Sequence, residues 1–285
     1  MKRRTFIAGL GSTAAWPIAA RAQQAMPVIG FLGDTGSDVI VAFLESLNEN
    51  GFVEGQNVAI EYRSEEGQPD RLPALAADLV RRRIAVIVAS GVLAALAAKA
   101  ATTTIPIVFV TGTDPVASGL VASLSRPGGN LTGSANITFE LGPKRLQLLR
   151  ELIPNAGVFG VLVDPAFPFQ STIADLQAAA RTQGLQLVFV NARTSDLETA
   201  FATFSQQRVG AVLVSPSGYY NTNMKQLVAL AARHSLPAIG LYCEYALAGG
   251  LMSYGSSLGY MMHQVGIYTG RILKGEKPGK SHRSD

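Results

Sequence analysis

Only one cysteine, one tryptophan and three histidines occur among the 285 residues, and charged side chains make up just 15% of them. A single thiol cannot close an intramolecular bridge, so the chain is no disulfide scaffold. Charge this sparse, beside 48% hydrophobic residues and a mean hydropathy of +0.23, also excludes a disordered polymer, which carries much charge and little apolar surface. His234 and His263 fall in expected helices and His282 in the tail, none with a partner at ligand spacing, so neither a metal nor a cofactor is expected. The mechanical parts of several enzyme classes are missing too: no H-E-x-x-H, C-x-x-C or G-x-x-x-x-G-K-[ST] string occurs. The one G-x-G-x-x-A string, Gly9 to Ala14, lies in the leader described next and cannot serve a mature protein. What remains is a chain long enough for one large or two medium domains with substantial cores.

The formal charge of +4 raises the question of a nucleic-acid surface, and position answers it. Four of the 24 basic residues, Lys2, Arg3, Arg4 and Arg21, fall in the first 22 positions, where there is no acid; the other 20 match the 20 acids. Residues 1–22 combine this basic head with a mildly apolar stretch from Phe6 to Ala20 and end in Ala20-Arg21-Ala22, the small-x-small form cut by a signal peptidase. The stretch is too short and too rich in Gly, Ser and Thr to span a membrane. Arg3-Arg4-Thr5-Phe6-Ile7 resembles a twin-arginine export signal, so the mature protein is expected to start near Gln23 and to reach the periplasm. Cys243 lies far from the cleavage point, which argues against a lipoprotein. Arg81 to Arg83 reads as the solvated end of a helix, and no nucleic-acid partner is expected.

Past the leader, Val- and Ile-rich runs alternate with stretches of helical period, the pattern of parallel strands buried on both faces with crossover helices. The runs Val28–Leu32, Val58–Tyr62, Ala85–Ala89 and Ile105–Val110 are answered about 130 residues later by Val158–Val163, Leu185–Val190, Gly210–Val214 and Leu236–Leu241. The chain is therefore a doubled α/β unit: two Rossmann-like, doubly wound lobes joined by hinge crossovers with a cleft between them. The first lobe is expected to take residues 26–137 and 251–278, the second 138–250. Asp70 is expected to cap a helix carrying Leu72, Leu75, Ala76, Leu79 and Val80 on one face. Ser195 with Glu198 is expected to form a capping box ahead of Phe201 and Phe204. Ser257 to Leu273 is a further expected helix, returning to the first lobe.

Open parallel sheets bind ligands beyond the carboxyl ends of their strands, where helix N-termini offer unpaired N–H groups. The residues there are small hydroxyls, glycines, a few carboxylates and several aromatics, a set suited to a zwitterion. From position, Ser90, Gly91, Thr113 and Ser215 are candidates for a carboxylate, Asp114 and Glu244 for an ammonium, and Tyr219 and Tyr242 for covering an apolar part. Gly33, Asp34, Asp164, Phe167 and Ser217, at other strand ends, and Asn136, near the crossing, complete the candidate set. No catalytic residue is expected, because no nucleophile and base share one strand end.

Several segments together resemble a known family. They are Asn50-Gly51-Phe52-Val53-Glu54-Gly55-Gln56-Asn57-Val58, Ile105-Pro106-Ile107-Val108-Phe109, Asp114-Pro115-Val116, Gly119 to Leu124, Arg126-Pro127-Gly128-Gly129-Asn130-Leu131-Thr132-Gly133 and Gly249 to Gly255. The chain is similar over nearly all of positions 27–279 to the ABC-transporter substrate-binding family related to tryptophan-binding periplasmic proteins. The resemblance implies a type I periplasmic binding protein: a monomer that takes a small organic solute, an aromatic or branched amino acid among the candidates, into the interlobe cleft and delivers it to an ABC transporter permease in the inner membrane. Two departures stand out. Cys243 precedes Glu244-Tyr245 where family members usually carry arginine, and after Pro278 the sequence Gly279 to Asp285 replaces the family's usual further strand and helix, as an atypical, truncated tail would. A ligand-sensing partner of a membrane receptor, and an enzyme on the same scaffold, are the alternative readings.

Overall fold

The computed structural model describes residues 26–33, 37–124, 127–136, 138–167, 170–193 and 196–278. The leader, the tail 279–285, Asp34 and Ser195 lie outside these residues. The chain runs β1 (Val28–Gly33), α1 (Ser37–Glu49), β2 (Ala59–Arg63), α2 (Leu72–Arg81), β3 (Val86–Ser90), α3 (Val92–Ala101), β4 (Ile107–Thr111) and β5 (Leu131–Ala135). It continues with α4 (Gly142–Leu152), β6 (Val158–Val163), α5 (Gln170–Thr182), β7 (Gln186–Asn191), α6 (Leu197–Gln206), β8 (Ala211–Val214), α7 (Gly218–Thr222), α8 (Met224–Arg233), β9 (Ala238–Gly240), α9 (Cys243–Leu247), β10 (Met252–Ser253) and α10 (Leu258–Leu273). Two five-stranded sheets result, ordered β2-β1-β3-β4-β5 and β10-β9-β8-β6-β7, and the pairings within each are parallel.

The continuous apolar runs explain the layers. Ile29 and Phe31 face a core shared with α1 and α10, while Leu32, Ile87 and Ala89 face one shared with α2 and α3. The second sheet repeats this: Leu162, Val212 and Val214 pack with Phe201 and Phe204, and Phe159, Val161 and Leu213 pack with Leu146 and Leu149. Period-2 alternation sends successive strand residues to opposite cores, so each strand is apolar throughout. The last helix reaches the first lobe because α10 presents Gly266 to Ser46 and the Phe43 carbonyl of α1, at a distance no side chain would permit, and Ser46 Oγ donates to the His263 carbonyl at 2.7 Å.

Two local expectations are corrected. Asp70 caps nothing: a 3-10 turn over Pro69–Arg71 leads into α2, so the chain is already helical where an extended cap would sit. The expected capping box of Ser195 and Glu198 falls partly outside the described residues; the Glu198 carboxylate takes Arg233 Nη1 at 2.7 Å and lies 3.2 Å from His234 Nε2. Met252 and Ser253 pair with β9 in the second sheet, so the return to the first lobe begins after β10 and not at residue 251.

Among the described residues two crossings join the lobes, one holding Asn136 and residues 138–141, the other residues 254–257, and they are bound to each other. Asn136 Nδ2 donates to Ser256 Oγ, and the hydroxyls of Thr138 and Ser256 lie 3.0 Å apart. Beneath them Arg145 is fully buried and donates through Nη1 to the carbonyls of Thr138 at 2.8 Å and Tyr254 at 3.4 Å. Burial holds this guanidinium down to about 10, with the nearby Tyr242 opposing the shift.

Candidate functional site

The carboxyl ends of the two sheets enclose a cleft of about 900 Å³, open mouth included. On the first-lobe side β3 ends at Ser90, and Gly91, with φ 97° and ψ 155°, turns the chain into α3. The amide of Gly91 is held by the Val110 carbonyl at 2.9 Å, and Val92, Leu93 and Ala94, the first turn of the helix, lie on the cleft wall. A helix start leaves its first N–H groups without intrahelical acceptors and carries the positive end of the helix dipole. The wall there suits an anion.

The second-lobe wall is built around Asp164, one residue past β6 and 2% exposed. Ser217 Oγ donates to its Oδ2, the Ala166 amide donates to Oδ1 at 2.9 Å, and Arg193 Nε stands 3.8 Å from the same oxygen. Ser217 in turn accepts from Tyr220 N at 3.2 Å as the cap of α7. The Arg193 guanidinium carbon lies 5.0 Å above the Tyr219 ring, within cation–π range. Beside the crossing, Phe139 and Phe167 meet edge to face at 5.9 Å, and Tyr242 closes the floor with a phenol pushed up by burial. Among the described residues, two carboxylates, Glu65 and Asp164, thus share the cleft with one guanidinium, amid a mostly apolar surface.

Six candidates read from the sequence line this cleft: Ser90, Gly91, Asp164, Phe167, Tyr219 and Tyr242. The other described candidates do not line it. Gly33 is required where β1 passes the Ser90 carbonyl, which leaves no room for a Cβ. Asp34 lies outside the described residues. The Thr113 hydroxyl is 2.8 Å from that of Thr111, which lines the cleft in its place. Asp114 Oδ1 caps its own turn, accepting from Val116 N at 2.7 Å and Ala117 N at 3.3 Å. Asn136 ties the crossings together. Ser217 serves Asp164 and α7. Ser215 borders a smaller void behind Tyr242, with its hydroxyl unpartnered. Glu244 Oε1 accepts from Ser257 Oγ at 2.7 Å and Gly259 N at 2.9 Å, pinning α9 to the start of α10. Burial alone would raise the Glu244 carboxyl; the donors at Gly259 and Ser257 outweigh it and hold the group below its usual range.

Glu65, Phe139 and Arg193 were not among the candidates, yet all three line the cleft. Glu65 and Arg193 each follow the end of an outlying strand, β2 and β7, so the strand-end rule extended to every run would have found them. Phe139 sits in a crossing, where no periodic signal exists.

Among solved structures, a conserved domain protein from Vibrio cholerae O1 biovar eltor shares 25% identity at a TM-score of 0.75, with 89% of this chain and 87% of that one covered. An ABC domain from Streptococcus pneumoniae in complex with L-Trp shares the fold at a TM-score of 0.72 and 21% identity, covering 89% and 86% of the two chains. The tyrosine-binding protein of Clostridioides difficile (strain R20291) is 25% identical over 241 residues, 83% of this chain and 68% of that protein. The sequence pattern of the family described as ABC transporter substrate binding protein matches residues 25–284, and the chain belongs to that family.

Proposed function

We propose that this is the solute-binding component of an ABC importer, exported to the periplasm, which traps one small zwitterion between its lobes and hands it unchanged to a membrane permease. An aromatic or branched amino acid fits the cleft best. The observation that carries the reading is the opposition of the α3 start to Asp164 and the rings of Phe167 and Tyr219 on the second lobe. A ligand carboxylate at Val92–Ala94 gains from the dipole and the amides of the first turn, worth about 1–2 kcal/mol in a partly buried setting. Glu65, with Asp164 opposite, supplies the negative charge that suits an ammonium. Burying an aromatic side chain of about 150–250 Å² against Tyr219, Phe139 and Phe167 adds roughly 4–6 kcal/mol before ordering costs. The named ligands of the relatives, L-Trp and tyrosine, support this class. A receptor of this kind needs no covalent chemistry; binding the closed form more tightly than the open one is sufficient to drive closure.

The test is calorimetry of the mature chain against the twenty amino acids and small aromatic acids. One-to-one binding of tyrosine or tryptophan, with thermal stabilisation of about 2.7 kcal/mol at a hundredfold excess over Kd, is the expected result. A folded sample stabilised by none of them refutes the reading.

A further inference from the structure

The two lobes touch across the cleft through Arg193. Its stem leaves the segment just after β7 of the second lobe, and its guanidinium is oriented there twice, by Asp164 at 3.8 Å and by the Tyr219 ring at 5.0 Å. Its Nη1 donates to the carbonyl of Gly67, which lies in the loop after β2 of the first lobe, 126 residues away in sequence. Gly67 has φ +77°, and a Cβ there would stand 2.5 Å from Arg193 Nη2, so the approach requires glycine. The side chain is 17% exposed, so water competes little for its donors.

We propose that Arg193 is the latch of this receptor: a positioning residue whose bond to the Gly67 carbonyl exists only with the lobes together and slows release of the trapped solute. The inference deepens the proposed function and rests on its solute-binding reading for the kinetic arm of the test. The physical argument is one of differential contact. Asp164 and Tyr219 lie on the same lobe as Arg193 and hold it in either state, whereas the Gly67 carbonyl belongs to the other lobe and is within reach only on closure. A charge-assisted hydrogen bond made solely in the closed state stabilises that state and leaves encounter with the open one unaffected. The preorganised guanidinium fork loses little freedom on making the bond, which a flexible lysine would not match.

Two measurements test it. The mature chain expected from residue 23 contains no tryptophan, since Trp16 lies in the leader, so L-tryptophan serves as its own fluorescent probe in stopped flow. Arg193→Lys and Gly67→Ala are each expected to raise the dissociation rate about tenfold or more, the loss of one hydrogen bond to a charged group, with association within about twofold. A merely structural role for Arg193 would not make Gly67→Ala, on the opposite lobe, behave alike. Dissociation rates unchanged in both variants overturn the proposal. The second measurement needs no ligand: spin labels at exposed Ala100 and Gln207, in a Cys243→Ser background, report the interlobe distance. Arg193→Ala is expected to move the distribution towards longer distances, and an unchanged distribution overturns the latch. If tryptophan fails to bind while the distances shift, the solute class is wrong and the latch stands.

Discussion

Gly91→Ala isolates the part of the site that the backbone alone creates. With φ 97° and ψ 155° this residue occupies a region open in practice to glycine only, yet a Cβ there meets no atom within 4 Å. The substitution therefore introduces no clash, and its cost is conformational. A non-glycine residue held in this region costs about 1–3 kcal/mol. Taking about 2 kcal/mol, and about 2–4 °C per kcal/mol for a chain of this size, the melting temperature should fall by about 4–8 °C. The chain has one alternative, to return residue 91 to negative φ, which rotates the peptides on either side, breaks the 2.9 Å bond to the Val110 carbonyl and turns the amides of Val92 to Ala94 away from the cleft. Either way the site suffers: losing a contact of about 1–2 kcal/mol with a ligand carboxylate weakens affinity about five- to thirtyfold. Differential scanning calorimetry and titration with tryptophan on the same preparation read both quantities. A melting temperature within about 1 °C of wild type together with unchanged affinity would refute the reasoning. A fall in stability with affinity intact would place the carboxylate elsewhere.

Phe201→Ala removes a fully buried ring that meets Phe204 edge to face at 6.1 Å in the second lobe, and urea denaturation should show a loss of about 3–5 kcal/mol. Glu244→Gln tests the tie between α9 and α10. The native carboxyl is held below its ordinary value of 4.5 in the fold, so its contribution is complete above that pH and is lost as pH falls through the lower folded value. The difference in melting temperature between wild type and variant should therefore be full at neutral pH and shrink progressively below about pH 4.5; a difference independent of pH would contradict the assignment.

Much of this architecture is legible in the chain. Each of the eight Val- and Ile-rich runs overlaps a strand, and Leu72, Ala76 and Leu79 are buried along one face of α2 as their spacing requires. Caps were less legible. Asp70 has the right residue type at the right offset, but capping needs an extended residue before the helix, and the 3-10 turn over Pro69–Arg71 removes that condition. The site divides in the same way. Ser90, Gly91 and Asp164 follow strands of the sheet interiors and reach the cleft, whereas Asp114, equally placed after β4, spends its carboxylate on its own turn.

The sequence by itself determined the doubled α/β plan and the burial of the apolar runs on both faces of each sheet, because hydrophobic period and strand direction are local properties that every neighbouring residue reinforces. Only the tertiary structure decided which polar side chains line the cleft. Asp164 is oriented by Ser217 and Arg193, Glu244 is occupied by the start of α10, and Arg193 meets a carbonyl on the opposite lobe. The role of a polar group is set by the donors and acceptors packed against it, and these come from distant parts of the chain.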